Sequence, residues 1–203
     1  MEIVHVESSV DYASNCYLMV ADGEAVLVDP SAPVASVQRE LRQHGAELKA
    51  ILLTHGHFDH MLCMQEARTV FHVPVMIHEA DSTFVNDGRK NAYTLFFGKE
   101  GAYGFVDQTF SDGASFHIGK EEIQTIHTPG HTSGSCCFLT GRTLLSGDTL
   151  FSMGYGRTDL YSGNDAEMAA SLGLLACMDR EIILFPGHGP SATLGDALQI
   201  LGM

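Results

Sequence analysis

Seven side chains with nitrogen or oxygen donor atoms stand in four short segments of the chain, and their types suit a pair of divalent metal ions. They are His55, His57, Asp59, His60, His131, Asp148 and His188. Imidazole nitrogen and carboxylate oxygen are ligands that zinc and related ions accept. Two such ions about 3.5 to 4 Å apart can share a water and lower its pKa toward about 7. The sequence therefore points to metal-assisted hydrolysis.

The spacing of the donors separates them into groups. His55 and His57 alternate, so they can share one metal, whereas Asp59 and His60 are adjacent and can face a second position. Gly56 lets the backbone approach the site closely because glycine has no Cβ. The remaining donors each follow a glycine, in Gly130-His131, Gly147-Asp148 and Gly187-His188. Each of these pairs ends or follows an apolar run, so we expect all four segments to be loops at one edge of a sheet.

The elements that must position these loops are short apolar strands and intervening helices. Strands are predicted at residues 3–7, 15–20, 24–29, 48–53, 73–77, 116–118, 123–127, 135–139, 143–146 and 182–185. Helices are predicted at residues 33–44, 61–70, 79–85 and 165–177, with a terminal helix from Ser191. Asp22-Gly23 between two apolar runs predicts a hairpin. The two halves have similar content, which predicts an α/β fold of two sheets packed face to face with helices outside.

Length and composition favour a single domain over residues 1–203. The chain has 203 residues, 45% of them apolar, and one core can grow to roughly 250 residues before chains usually split. Segment 86–115 is rich in glycine and aromatic residues and has no clear period. Two interpretations of it stay open. It is a lid over the site, as long irregular segments often are, or a covering loop whose aromatic side chains simply pack.

Charge and cysteine content exclude several classes of function. The formal net charge of −14 argues against nucleic acid or an anionic membrane as a partner, because phosphates would be repelled. No stretch approaches the roughly 18 apolar residues of a membrane span.

The five cysteines include the adjacent pair Cys136 and Cys137 and form no Cys-x-x-Cys motif, so free thiols are expected rather than disulfides or a zinc knuckle. We expect a cytoplasmic protein that acts on a small-molecule substrate; no pattern indicates its oligomeric state.

The order of the motifs resembles that of a known family. His-x-His-x-Asp-His at residues 55–60 is followed by His131, Asp148 and His188, and the resemblance extends from Val26-Leu27-Val28-Asp29-Pro30 to Pro186-Gly187-His188-Gly189. In these residues the chain resembles the metallo-β-lactamase-fold hydrolases, and most closely their short glyoxalase II (hydroxyacylglutathione hydrolase)-like branch. The resemblance implies a four-layer αββα sandwich.

The resemblance also implies a division of labour among the donors. His55, His57 and His131 would hold metal one; Asp59, His60 and His188 would hold metal two; Asp148 would bridge them. The ions would most naturally be Zn²⁺, although the same donors accept iron or manganese. A metal-bridged hydroxide would attack a thioester carbonyl, since a leaving thiol with a pKa of about 8.5 departs readily as thiolate. Asp59 would act catalytically by accepting or relaying the proton.

For two residues beyond the candidate ligands, Asp29 and Arg157, two interpretations stay open. Asp29 could accept a hydrogen bond from a metal-binding imidazole, as the resemblance favours, or it could cap the turn at Pro30. Arg157, in Gly154-Tyr155-Gly156-Arg157-Thr158-Asp159, could anchor a substrate carboxylate or pair with Asp159 or another acid to organise its loop. Thr54 and Thr149 could orient ligands through their hydroxyls.

The sequence leaves other functions open beside glutathione thioester hydrolysis. Longer glyoxalase II enzymes carry a C-terminal helical domain that helps to hold glutathione, and this chain ends at Met203, so glutathione need not be the thioester carrier. The motif at residues 154–159 is shared, in resemblance, with persulfide dioxygenases, which would use one iron on His55, His131 and Asp148. A non-catalytic binding domain is disfavoured because no metal position is lost.

Overall fold

The computed structural model describes residues 1–203 and contains two six-stranded sheets. The first sheet has the order β1 (Glu2–Val6), β2 (Cys16–Ala21), β3 (Glu24–Val28), β4 (Glu47–Leu52), β5 (Val75–His78), β6 (Gln108–Phe110). The second consists of β7 (Ser115–Ile118), β8 (Glu121–His127), β9 (Cys136–Thr140), β10 (Thr143–Gly147), β11 (Ile183–Pro186) and β12 (Ala192–Thr193). The helices are α1 (Val34–Gln43), α2 (Met64–Phe71), α3 (Tyr93–Phe97), α4 (Asp165–Ala176) and α5 (Leu194–Ile200).

Each sheet combines antiparallel and parallel pairs. In the first sheet β1, β2 and β3 pair antiparallel, whereas β3 to β6 are parallel. In the second sheet β7 to β10 are antiparallel, and β10 and β11 are parallel. The predicted hairpin lies between β2 and β3, where Asp22 and Gly23 have φ of 50° and 80°. Positive φ at both central residues is what a two-residue hairpin turn with the twist of the strands requires.

Three apolar clusters fill the spaces between four layers: helices, the first sheet, the second sheet and helices. Between the sheets, Met19 and Val26 of the first sheet meet Phe138 and Leu145 of the second. The alternate side chains of the first sheet face α1 and α2, and those of the second face α4 and α5. Because both faces of both sheets are covered, strand β2 is buried at every position. Each fully buried Leu, Val, Ile or Phe side chain contributes roughly 1.5 to 3 kcal/mol through its removal from water. The predicted α/β sandwich of αββα type is confirmed.

Some element boundaries differ from the prediction. Helix α2 begins at Met64 rather than near residue 61, because Phe58–His60 forms a 3₁₀ turn that carries two of the donors. The helix predicted at 79–85 is instead a pair of 3₁₀ turns, Glu79–Asp81 and Phe84–Asn86. Segment 86–115 is not irregular throughout, since it contains α3 and β6. These elements are too short, at five and three residues, to give a periodic signal.

None of the helices is long and apolar enough to cross a membrane.

Candidate metal centre

The four predicted loops meet at one edge of the two sheets. The first loop follows β4, and the others follow β8, β10 and β11. Three overlapping groups of donors form there, each with its ligand atoms within 4.8 Å of one another: His55, His57 and His131; His55, His60 and Asp148; Asp59, His60 and His188. The packing is so close that a Cβ at Gly187 would lie 2.6 Å from Cε1 of His60. Glycine before a donor is therefore a spatial requirement at this position.

We call His55, His57 and His131 the first trio; all of its side chains are buried, with at most 3% of each residue exposed. Nδ1 of His57 lies 2.8 Å from Nε2 of His131. The rings of His55 and His57 have centroids 4.9 Å apart and are nearly perpendicular. These three converging imidazoles are the residues that the resemblance implies as ligands of metal one.

Two rings of the first trio are oriented by hydrogen bonds from the nitrogen that faces away from the site. Nδ1 of His131 donates to the backbone carbonyl of Arg157, at 2.7 Å. Nδ1 of His55 lies 3.1 Å from Oγ1 of Thr54, whose own hydrogen goes to Oδ2 of Asp29, at 2.7 Å. The hydroxyl of Thr54 therefore accepts from His55. In both rings Nε2 keeps its lone pair free for a metal.

The second trio consists of Asp59, His60 and His188, and it is more open than the first. His60 is fully buried, and its Nδ1 donates to Oδ2 of Asp29, at 2.8 Å. Nε2 of His188 lies 3.2 Å from Oδ2 of Asp59, and the His188 side chain is 41% exposed. The position of Asp29 therefore matches the role of hydrogen-bond acceptor for a metal-binding imidazole.

Asp148 lies between the two trios. Its Oδ1 is 3.2 Å from Nε2 of His60, and its Oδ2 is 3.4 Å from Nε2 of His131. Oδ2 is also 3.7 Å from Nε2 of His188. One carboxylate oxygen is thus directed toward each side, which is the placement expected of a bridging ligand.

The protonation states of these groups suit cations. Burial, reinforced by neighbouring imidazoles, holds the pKa of His55 far below its usual range and lowers the pKa of His57 to about 3. The pKa of Asp148 is lowered because nearby histidines, His60 first, outweigh the opposite effect of burial. The pKa of Asp59 is lowered for the same reason. At neutral pH the site therefore presents the neutral imidazoles of His55 and His57 and the ionised carboxylates of Asp59 and Asp148, the forms that ligate metals. The pKa of His60 is raised well above its usual value, because the carboxylates of Asp148, Asp29 and Asp59 outweigh the opposing effect of burial, so an ion bound by His60 would displace its proton.

Buried polar atoms without partners show whether the residues fit a metal pair. Nε2 of His55 is buried and has no hydrogen-bond partner, and Nε2 of His60 and Oδ1 of Asp148 face each other at 3.2 Å without forming a hydrogen bond. An unpaired buried polar group costs about 1 to 3 kcal/mol, so these three atoms call for a further partner. Divalent cations would supply that partner and balance the carboxylate charge. The residues fit the implied ions.

Asp81 is a buried carboxylate at this site that the sequence interpretation missed. Its Oδ2 accepts from the backbone N–H of Gly56, at 2.9 Å, and from Oγ1 of Thr132, at 2.6 Å. Its Oδ1 accepts from the N–H of Gly134, at 2.7 Å, and from the hydroxyl of Ser133, at 3.3 Å. Burial raises the pKa of Asp81 in spite of these donors. Asp81 therefore ties the loop of His55 and His57 to the loop of His131.

A cavity of about 460 Å³ opens in front of the metal centre. Besides five of the donors, it is lined by Tyr12, Ala13, Phe58, Ala92, Phe96, Phe151, Gly156, Arg157 and Leu160. The guanidinium of Arg157 forms a two-pronged ion pair with Asp159, with N···O distances of 2.6 and 2.7 Å. In this arrangement the loop-organising role is filled, and no substrate contact is needed to account for the side chain.

The other threonine and the other histidines lie away from the ligand atoms. Oγ1 of Thr149 is 2.7 Å from Oγ1 of Thr128, and it forms no hydrogen bond with any of the seven candidate metal ligands. His127 stacks on His78 with ring centroids 4.2 Å apart, and its Nε2 lies 2.9 Å from the carbonyl oxygen of Ser133. His127 is therefore part of the packing beside the site and not a ligand.

With this geometry established, comparison with known proteins identifies the family. The model of the metallo-β-lactamase superfamily matches residues 10–188. The chain belongs to the metallo-β-lactamase superfamily. Among its superfamily relatives, the probable metallo-hydrolase YqgX of Bacillus subtilis (strain 168) is 30% identical over 180 aligned residues, and the match covers 87% of this chain and 85% of YqgX.

Solved structures of the superfamily have the same fold. The B3 metallo-β-lactamase BLEG-1 superimposes with a TM-score of 0.88 at 30% identity, over 98% of this chain and 97% of BLEG-1. TTHA1623, crystallised in a di-iron-bound form, gives a TM-score of 0.84 at 28% identity, over 97% of this chain and 98% of its own. The superfamily is one of metallo-hydrolases, and this chain presents a cluster of histidines and aspartates that could bind metal ions.

Proposed function

We propose that this protein is a two-metal hydrolase that cleaves a small-molecule thioester, as the glyoxalase II-like branch does. The observation that carries the proposal is the complete set of seven donors, divided into two trios with Asp148 between them and in front of an open cavity. Buried polar atoms of His55, His60 and Asp148 without a hydrogen-bond partner, beside a substrate-sized cavity, support a metal-binding catalytic site over a non-catalytic role.

The cavity lining favours a thioester over an amide. An amide requires a general acid to protonate its leaving nitrogen, whereas a thiol with a pKa of about 8.5 departs as thiolate with little help. Apart from the metal-binding side chains, only Tyr12 and Arg157 bring polar side-chain groups to the lining, and Tyr12 is 67% exposed at the rim. Outside the proposed metal ligands the lining therefore supplies no buried acid, and a thioester is the substrate whose leaving group has the least need of one.

The residues of the chain divide the work. When bound, the two divalent ions would polarise the substrate carbonyl and lower the pKa of a water toward about 7. The first trio would hold one ion and the second trio the other, with Asp148 between them. The ionised carboxylate of Asp59 lies at the cavity wall, where it would accept the proton of the attacking water. Asp29 keeps His60 in the tautomer that presents Nε2.

Zinc is the proposed ion because the donor set is rich in imidazole, which zinc accepts readily. The same nitrogen and oxygen donors also bind iron and manganese, and the metal that is available decides between them. The di-iron form of TTHA1623 makes iron a necessary comparison in any metal analysis.

The test combines metal analysis with a substrate panel. Protein purified without added metal, then loaded with zinc, iron or manganese, is assayed with S-lactoylglutathione, neutral thioesters of N-acetylcysteamine and the β-lactam nitrocefin. We expect close to two metal equivalents and thioester cleavage. Cleavage of nitrocefin alone would instead assign the activity named for BLEG-1. One iron together with oxygen uptake on glutathione persulfide would establish a dioxygenase, and no metal with no turnover would end the proposal.

A further inference from the structure

The exposed apolar side chains of this protein are concentrated around the mouth of the cavity. Large hydrophobic residues are exposed at twelve positions, and half of these lie on segments that line or flank the opening. These six are Tyr12, Leu95, Phe96, Met153, Tyr155 and Tyr161. An apolar rim on a protein with a net charge of −14 is costly in water, and such patches usually mark a binding site.

A second cavity of about 490 Å³ lies beside the first. It is lined by Arg89, Ala92, Thr94, Leu95, Asp159, Leu160 and Tyr161. Ala92 and Leu160 line both cavities, so the two are adjacent, and we refer to them together as the groove beside the metal centre. The lining of the second cavity carries one arginine and one aspartate, which gives it no net charge, and the remaining side chains are mostly apolar.

Aromatic packing fixes the wall of this groove relative to the metal ligands. Phe58, adjacent to Asp59 and only 4% exposed, packs against Phe96 and Phe97 of α3 with ring centroids 5.5 Å apart in both pairs. The backbone N–H of Phe58 donates to the carbonyl of Asn91, at 3.0 Å. Helix α3 is therefore anchored on the loop of the second trio, and the groove has a defined position with respect to the reacting carbonyl.

We propose that the second cavity binds the apolar tail of the acyl group, so that the substrate is an acyl thioester with an extended hydrocarbon chain. This proposal rests on the thioester hydrolysis proposed above. The acyl half fits the cavity better than the thiol half because of its polarity. A hydrocarbon acyl tail is apolar along its length and gains free energy from burial, whereas a thiol carrier such as glutathione bears amide and carboxylate groups whose burial in an apolar cavity is unfavourable.

The first test is a chain-length series. Acetyl, butanoyl, hexanoyl and octanoyl thioesters of N-acetylcysteamine are compared as substrates of the metal-loaded protein. We expect kcat/KM to rise about two- to fourfold for each methylene group that enters the cavity. Lengthening the thiol side with an acetyl group held constant should give no such rise. A flat or falling acyl series, or a rise confined to the thiol side, would overturn the assignment.

Variants in the second cavity provide the matched comparison. Leu95→Ser and Tyr161→Ser replace exposed apolar side chains of the groove, and each should lower the octanoyl-to-acetyl ratio of kcat/KM about tenfold. Ile200→Ser is the control, since Ile200 is 57% exposed on α5 and lines neither cavity. An unchanged ratio in both groove variants, or an equal fall in the control, would contradict the proposal.

A binding measurement separates this inference from the proposed reaction. S-octyl-N-acetylcysteamine, a thioether that cannot be hydrolysed, is titrated into the metal-loaded protein by calorimetry. We expect it to bind at least tenfold more tightly than the S-ethyl compound, and Leu95→Ser should remove that difference. If no thioester is cleaved but the octyl compound binds in this way, the proposed reaction fails and the apolar subsite stands. Equal binding of the two compounds would refute the subsite whatever the reaction.

Discussion

The first and second trios contain the same number of donors but differ in how firmly the protein holds them. Every ring of the first trio is buried, and its two loops are joined through Asp81. In the second trio His60 alone is fully buried, whereas the side chain of His188 is 41% exposed and contacts the carboxylate of Asp59. Both trios are complete, so the difference lies in the support behind the donors.

This difference indicates an order of metal binding. A preorganised set of ligands loses little conformational freedom when an ion binds, whereas an exposed side chain must be ordered at that step. The first trio should therefore bind its ion more tightly, and the second trio should fill later and exchange faster. Exposure at the second trio also leaves room beside that ion for substrate and water.

The largest effect is expected from removing the residue that the two trios share. Asp148→Ala deletes the carboxylate between His60 and His131, so both ions lose a ligand. Hydrolysis should fall about a thousandfold, which corresponds to several kcal/mol of lost transition-state stabilisation. Metal content and kcat are the measurements. A variant that keeps two tightly bound ions and more than a tenth of its activity would show that the residue is no bridge.

The next largest effect separates the trios directly. His57→Ala should abolish the tighter binding step, and His188→Ala should abolish only the weaker one. Each variant is titrated with zinc after removal of all metal, and the affinity of the remaining step is compared with that of the unaltered protein. If the exposed His188 proves essential for the tighter step, the proposed order of binding is reversed.

A smaller effect on metal affinity is expected from Asp81, which joins the two loops of the first trio. Asp81 accepts hydrogen bonds from four N–H and O–H groups. Asp81→Asn replaces one carboxylate oxygen with an NH₂ group, so at least one of these four hydrogen-bond donors loses its acceptor. Loss of such a supporting partner typically lowers metal affinity by about 10- to 100-fold, and here the tighter step should weaken more than the other. The control is Asp107→Asn, which breaks an ion pair with Arg68 away from the site. Equal weakening of both steps would indicate general destabilisation instead.

The smallest effect concerns the arginine at the cavity. The pair between Arg157 and Asp159 is exposed, with 51% and 67% of the side chains accessible, and exposed pairs contribute about 0 to 1 kcal/mol. Arg157→Ala removes the guanidinium but keeps the backbone carbonyl that accepts from His131. Activity on a neutral thioester should change by less than about threefold. A selective loss on S-lactoylglutathione, which carries carboxylates, would instead establish Arg157 as a substrate anchor.

The sequence predicted that the seven candidate ligands would converge, because each of them has a local signature. His131, Asp148 and His188 each follow a glycine just after a strand, and parallel or adjacent strands bring such positions to one edge. The role of Asp29 stayed open between two interpretations, since only the folded chain brings it within 2.8 Å of His60.

Other parts of the molecule had no signal that sequence reasoning could use. Asp81 receives its hydrogen bonds from residues 25 positions before it and 51 to 53 positions after it, so nothing in its immediate neighbours reveals its role. A carboxylate just after a buried strand was the one available hint. Within segment 86–115, the position of α3 depends on packing against Phe58, which is a tertiary contact and not a periodic pattern.

The most direct test of a two-metal thioesterase is a zinc titration of metal-free protein during which hydrolysis of a neutral thioester is followed. We predict that two equivalents bind, the first more tightly, and that most of the activity appears with the second. Full activity at one equivalent, or two bound equivalents without hydrolysis, would contradict the account.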